Sequence, residues 1–190
     1  MTRSMLWQIL YWAWVGGEIG ILIFTRTRKG GGEVRDRGSL RILWLVIVVS
    51  CTVGIAYGEM HEPTMFGGAP WVRTAALVLL AIALAIRWTA IATLGRWFSA
   101  NVAILDDQQL QTGGIFSIVR HPSYTGLMLV FFAVALHTRN WLAFAIIFIP
   151  CAAALLYRIN VEESALRNAF GSAYDAYAQK TPQRLIPFLY

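Results

Sequence analysis

Charge is what this sequence has least of. Of its 190 residues only 14% are charged and 57% are hydrophobic, whereas a soluble domain carries about 25% charged and about 45–50% apolar residues. That balance excludes an ordinary soluble domain and implies a single membrane domain over residues 1–190. Cysteine is scarce too. Cys51 and Cys151 each lie inside an apolar run, where a thiol behaves as a small hydrophobe, so neither a disulfide framework nor a metal site is indicated. A nucleotide-cradling glycine turn is also missing, because Gly30-Gly31-Gly32 follows no strand and precedes no Gly-Lys-Ser/Thr; the triplet reads as a flexible turn. The net charge of +6 does not point to nucleic acid, since six of the sixteen basic residues lie between Arg26 and Arg41 beside an apolar segment, as a topology signal does.

What is present is a series of apolar runs. The first, Met5 to Phe24, exceeds a signal-peptide core and lacks a small-residue cleavage site after it, so it reads as a retained span. Its Gln8 and Glu18 are expensive in hydrocarbon and should face the bundle or an interface. For Glu18, an interhelical hydrogen bond and a catalytic role are both open. Gly16, Gly17 and Gly20 would permit close helix packing. Four more runs follow: Leu40 to Tyr57, Trp71 to Ala92, Ser123 to Leu136 and Trp141 to Tyr157. A membrane helix needs roughly 20 apolar residues, so the fourth run is short and should start below headgroup level, inside protein. His137 to Asn140 then forms a tight turn between antiparallel helices. The expected fold class is all-α: a polytopic membrane protein with about five transmembrane helices, the last two a hairpin, and a C-terminal helical tail.

Orientation follows from the basic residues. The first connection holds Arg26, Arg28, Lys29, Arg35, Arg37 and Arg41, while the second, from Gly58 to Pro70, holds none and carries Glu59 and Glu62. The positive-inside rule puts the first connection in the cytoplasm. With five spans the N-terminus is then outside and the tail cytoplasmic, on the same side as the third connection, Thr93 to Pro122. In the tail, apolar residues recur at three-to-four spacing through Phe170, Glu163 and Arg167 form an i,i+4 pair, and Gly171 breaks or bends the helix. Tyr174 and Tyr177 would share a face resting at the membrane interface.

Two segments could hold chemistry. Pro122 disfavours helical geometry at His121, so Arg120-His121-Pro122-Ser123-Tyr124 should be a bend that opens the fourth helix, with imidazole and free backbone amides aimed at one place. A helix start beside cations suits an anion, although Arg120 on headgroups and a structural His121 would read the same way. Arg158 and Glu162, four apart, share a helix face. They could be a plain ion pair, a carboxylate-binding arginine beside an ammonium-binding carboxylate, or a snorkelling arginine near an acid.

These segments sit in a longer pattern. Leu110-Gln111-Thr112-Gly113-Gly114-Ile115-Phe116-Ser117-Ile118-Val119, running into Arg120-His121-Pro122-Ser123-Tyr124-Thr125-Gly126, resembles the isoprenylcysteine carboxyl methyltransferase family. In family order come Leu94-Gly95-Arg96-Trp97 upstream and, downstream, Arg158, Glu162-Glu163, Phe170-Gly171, Tyr174, Tyr177 and Arg184-Leu185-Ile186-Pro187. The resemblance covers roughly residues 88–190, leaving 1–87 as N-terminal spans. Phe116 departs from the tyrosine common at that place. Related membrane reductases using NADPH carry Arg-His-Pro-Asn-Tyr, whereas Ser123 and Thr125-Gly126 favour a methyltransferase.

The resemblance implies S-adenosylmethionine as cofactor, held by His121, Tyr124, Leu127, backbone groups at Val119 and Arg120, and Glu162 or Glu163 at its ammonium. It implies methyl transfer to the carboxylate of a prenylated or other lipophilic acceptor arriving from the bilayer, with Arg158 and Glu162 catalytic. Phospholipid amine N-methylation and thiol S-methylation are the alternatives on the same architecture.

Overall fold

A computed structural model describes residues 2–25, 33–34, 38–104 and 108–187, with backbone only at Glu33, Val34 and Ala103. The basic residues Arg26, Arg28, Lys29, Arg35 and Arg37 and the triplet Gly30-Gly31-Gly32 lie outside the described residues. The elements in chain order are α1 (Arg3–Phe24), β1 (Glu33–Val34), α2 (Ser39–Met60), α3 (Trp71–Leu94), β2 (Ala103–Ile104), α4 (Pro122–His137), α5 (Trp141–Phe170) and α6 (Ser172–Lys180), with short 3-10 turns at Met65–Gly68, Gly95–Trp97 and Gly114–Ser117. Apart from the two-residue antiparallel pair β1–β2, the regular secondary structure of the described residues is helical.

Four helices are long and apolar enough to cross a membrane: α1, α2, α3 with its following turn, and α5. The chain is a multi-pass integral membrane protein, with α4 as a shorter apolar helix of 16 residues. Two of the helix starts are capped by side chains. Thr2 caps α1 by accepting from the Met5 amide, and the Asn140 side chain caps α5 by accepting from the amides of Leu142 and Ala143. These are the donors a helix start leaves without partners. The fifth apolar run does not stop at Tyr157: α5 continues without a break, past the interior Pro150, to Phe170. Gly171 ends it at φ +52°, a conformation that glycine adopts without penalty.

Packing is set by a few small residues. A Cβ on Gly126 of α4 would lie 2.7 Å from the Arg87 amide nitrogen and 2.8 Å from the Ala83 carbonyl oxygen, so α3 and α4 touch backbone to backbone. Gly54 of α2 makes room for the Ile147 side chain of α5. The glycines of α1 do not serve this purpose: a Cβ at Gly16 or Gly20 meets nothing within 4 Å, and one at Gly17 meets only the Trp88 ring. Accordingly α1 leans mainly on α3, while α2 packs on α5. Between α1 and α2 a cleft remains, lined by Tyr11, Val15, Trp44, Val48, Cys51 and Ile55.

Candidate active site

The bend before α4 forms as the proline requires. His121 sits at φ −125°, ψ 59°, and Pro122 takes the first helical position. The backbone amides there are not free, however. Arg120 and His121 each donate, at 2.9 Å, to the carbonyls of Gln183 and Arg184, and Thr125 Oγ1 donates to Leu185 O at 2.7 Å. Residues 181–187 thus run as a strap along the start of α4.

The anion that this bend was expected to attract is supplied by the protein. Glu163, 3% exposed, accepts from Arg120 Nε at 3.0 Å, His121 Nε2 at 3.2 Å and Arg184 Nη2 at 2.7 Å. Arg120 Nη1 also donates to the Thr181 and Pro182 carbonyls. Glu163 therefore ties α5, the bend and the strap together. The expected Glu163–Arg167 pair gives way to this arrangement, and Arg167 instead reaches Asp175 on α6 at 3.0 Å. An i,i+4 surface pair contributes only about 0.2–0.5 kcal/mol, less than a buried carboxylate gains from two guanidinium groups and an imidazole.

Glu162, one residue earlier, points elsewhere. Tyr124 donates its hydroxyl to Glu162 Oε2, and Arg158 Nε donates to the same Tyr124 oxygen at 3.0 Å. Arg158 and Glu162 do share a face, but they meet through this phenol. Arg158 does not snorkel: it is 3% exposed, and it donates to Ser39 Oγ at 2.9 Å and to the Ala100 carbonyl. The guanidinium thereby connects α5 to α4, to the start of α2 and to the connection before β2.

Arg158, Tyr124 and Glu162 line one cavity with His121, Arg120, Leu127, Phe116 and Trp97. Val119 is buried outside this lining, as is Glu163. At the deep end lies an ion pair that sequence reading only half found. Glu18 of α1 receives two hydrogen bonds from Arg87 of α3, Nε to Oε1 and Nη2 to Oε2, while Arg87 Nη1 donates to Ser123 Oγ at 2.8 Å and Ser123 O at 3.1 Å. The interhelical reading of Glu18 is therefore correct. Arg87 was missed, and its signal was a charge deep in the third apolar run that needs an opposite partner. Arg184 was read only as part of the family-order ending, and its contact with Glu163 was missed because an end segment has no periodicity to read.

Tyr174 and Tyr177 are buried against the protein rather than spread on an interface, with Tyr177 donating to the Phe116 carbonyl at 2.7 Å. Burial pushes the Tyr177 phenol up to about 12, and burial with the nearby Glu163 carboxylate pushes Tyr174 up as well.

The donor set fits S-adenosylmethionine. Glu162 offers a carboxylate to an ammonium, aromatic rings and Leu127 offer faces to a flat base, and the indole N–H groups of Trp14 and Trp97, both on the cavity wall, are buried without an acceptor. Buried donors left this way are rare and suit a ligand.

A profile of the isoprenylcysteine carboxyl methyltransferase family matches residues 75–168, the stretch that holds Arg87, the bend, Tyr124, Arg158 and both glutamates. The chain is similar to protein-S-isoprenylcysteine O-methyltransferase B of Arabidopsis thaliana, 32% identical over 63% of this chain and 61% of that protein. It is also similar to protein-S-isoprenylcysteine O-methyltransferase of Schizosaccharomyces pombe, 31% identical over 58% of this chain and 48% of that protein. A third similarity is to methanethiol S-methyltransferase 2 of Bradyrhizobium diazoefficiens, 33% identical over 45% of this chain and 32% of that protein. The matched stretches span 61% or less of these curated relatives' lengths.

Proposed function

Because this chain belongs, through residues 75–168, to the isoprenylcysteine carboxyl methyltransferase family, we propose that it O-methylates the carboxylate of an isoprenylcysteine-like or other lipophilic acceptor using S-adenosylmethionine. The observation that carries this reading is the Arg158–Tyr124–Glu162 chain on the wall of a cavity that continues into an apolar cleft.

S-adenosylmethionine, when bound, supplies an electrophilic methyl group on a sulfonium. A carboxylate acceptor is already a competent nucleophile, so the protein's work is alignment and exclusion of water. Glu162 holds the cofactor ammonium, and the Tyr124 hydroxyl fixes the direction of that carboxylate. His121, Leu127 and Phe116 form the wall beside it. Arg120 lines the cavity while bound to Glu163, Val119 acts from behind the wall, and Glu163 acts on the strap, so of the two glutamates Glu162 is the cofactor's. Arg158 orients the acceptor carboxylate, for which a planar guanidinium is suited.

The acceptor's apolar part arrives from the bilayer. The α1–α2 cleft and the main cavity share Trp14, Glu18, Trp44 and Ile47 as lining, which supports this route. In the proposed topology α4 is a fifth crossing that forms a hairpin with α5, although its 16 residues reach only about 24 Å. The N-terminus is outside, and the tail and active site face the cytoplasm. Single-cysteine labelling from either side of sealed vesicles tests that orientation, and labelling of residue 2 from the cytoplasmic side would reverse it. Residues 88–190 form the cofactor-binding half and 1–87 the spans that flank it.

A second reading, S-methylation of a small thiol, is favoured by the similarity to a methanethiol methyltransferase. A thiol must lose its proton, and Glu162 or His121 is placed on the cavity wall to take it. The decisive experiment is calorimetric titration of the purified protein with S-adenosylmethionine, followed by transfer of a radiolabelled methyl group to prenylcysteine, amine-lipid and thiol acceptors. Saturable binding and an alkali-labile ester on prenylcysteine are expected. Binding of NADPH with none of S-adenosylmethionine would sink the proposal, and label on the thiol alone would select the second reading.

A further inference from the structure

At the end of the bundle away from this cavity, Arg73 and Arg139 face each other without a carboxylate between them, and Arg3 lies on the neighbouring residue. Arg3 opens α1, Arg73 lies in the first turn of α3, and Arg139 lies in the turn between α4 and α5. Arg3 Nη1 donates to Thr74 Oγ1, next to Arg73, at 2.9 Å. Arg73 and Arg139 are within electrostatic reach of each other and of His137. The His137 ring in turn stacks on Trp7, one turn along α1 from Arg3, with ring centroids 3.7 Å apart.

Among the described residues no carboxylate forms an ion pair with Arg3, Arg73 or Arg139; the pairs present belong to Glu18, Glu162, Glu163 and Asp175. The acids at this end, Glu59 and Glu62, are exposed. Arg139 is held at φ +56° with Nη1 donating to the Gly68 carbonyl at 2.9 Å, and its Nε is buried without an acceptor.

The depth of this cluster is marked by its neighbours. Trp71 and Trp141, two residues from Arg73 and Arg139, are 55% and 52% exposed, and both contact the exposed ring of Phe66. Exposed tryptophans of a membrane protein gather at headgroup level, which puts Arg73 and Arg139 within reach of lipid phosphates. Like charges brought together there repel unless an anion lies between them, and the planar fork of arginine matches phosphate oxygens two at a time.

We propose that Arg73 and Arg139 form a binding site for the phosphodiester of an anionic phospholipid at the membrane face opposite the candidate active site. The site is independent of the methyltransferase reading, because none of its residues borders the cavity.

The test uses the purified full-length protein, stripped of lipid in detergent, with thermal unfolding and native mass spectrometry as readouts. Phosphatidylglycerol is expected to raise the melting temperature and to persist as a bound adduct more than phosphatidylcholine does, and inorganic phosphate at equal concentration is expected to have no effect. The exposed Arg73 side chain makes no hydrogen bond to the described residues, so Arg73→Gln should fold and weaken phosphatidylglycerol retention by roughly fivefold, the effect of one basic residue at a membrane surface. Arg73→Lys should retain more of it than Arg73→Gln. Equal stabilisation by the two lipids, or unchanged retention in Arg73→Gln, would overturn the assignment. An equal shift with inorganic phosphate alone would overturn it in favour of a free-anion site.

Discussion

Successive residues of a helix point about 100° apart, so Glu162 and Glu163 cannot share an environment. Glu163 is enclosed by Arg120, His121 and Arg184, and Glu162 reaches the cavity through Tyr124. Their variants should separate cleanly. Glu162→Gln is expected to weaken S-adenosylmethionine binding by about tenfold or more, the equivalent of one hydrogen bond to a charged group at ~1.5–3 kcal/mol, with little change in melting temperature. Glu163→Gln should instead destabilise the fold by roughly 3 kcal/mol or more, because it leaves buried cations without their counterion. Calorimetry and thermal melts on the two variants side by side check this, and the opposite pattern would move the ammonium to Glu163. The Glu-Glu dipeptide made a carboxylate at this place legible. Which of the two faced the cavity depended on Arg184, 21 residues away.

Among the elements, α3 and α4 are the pair whose approach sets the site, since Ser123 and Tyr124 are carried on the first turn of α4 while Arg87 meets Ser123 from α3. Gly126 permits that approach. Gly126→Ala puts a methyl group into backbone atoms at 2.7 and 2.8 Å, and overpacking of this kind costs about 1–3 kcal/mol. Gly20→Ala, with open space around it, should stay within ~0.5 kcal/mol of the parent. Unfolding of both variants in the same detergent tests the contrast, and equal stability would mean the helices slide apart at no cost. Three glycines in α1 looked like a packing motif because small residues are enriched at membrane helix contacts. Spacing within one helix does not reveal whether a neighbour lies against that face, and here the tight contacts use Gly54 and Gly126. The helix ends at Pro122 and Gly171 were easier to place, because these residues act on their own backbone.

For the whole molecule, the Glu18–Arg87 pair joins the first helix to the family-matched half across 69 residues of sequence. Both side chains are buried, at 5% and 8% exposure, so removing one partner leaves an uncompensated charge. Glu18→Ala is expected to destabilise the protein by about 3–5 kcal/mol, while Glu18→Leu with Arg87→Leu should recover most of that loss. A double-variant thermal series measures it, and an unchanged melt for Glu18→Ala would show that α1 is held by apolar contact alone.

The sequence by itself determined the membrane character, the approximate spans, the bend at His121, the break at Gly171 and the family resemblance. Each of these depends on local composition, on a proline or glycine acting within its own turn, or on motif order. Only the tertiary structure decided that Tyr124 stands between Arg158 and Glu162, that Glu163 belongs to the strap, and that Arg87 answers Glu18. Such pairings are made between helices whose leucines, valines and alanines look alike in sequence. A buried charge announces that it needs a partner, but only packed helices in their final register determine which partner it meets.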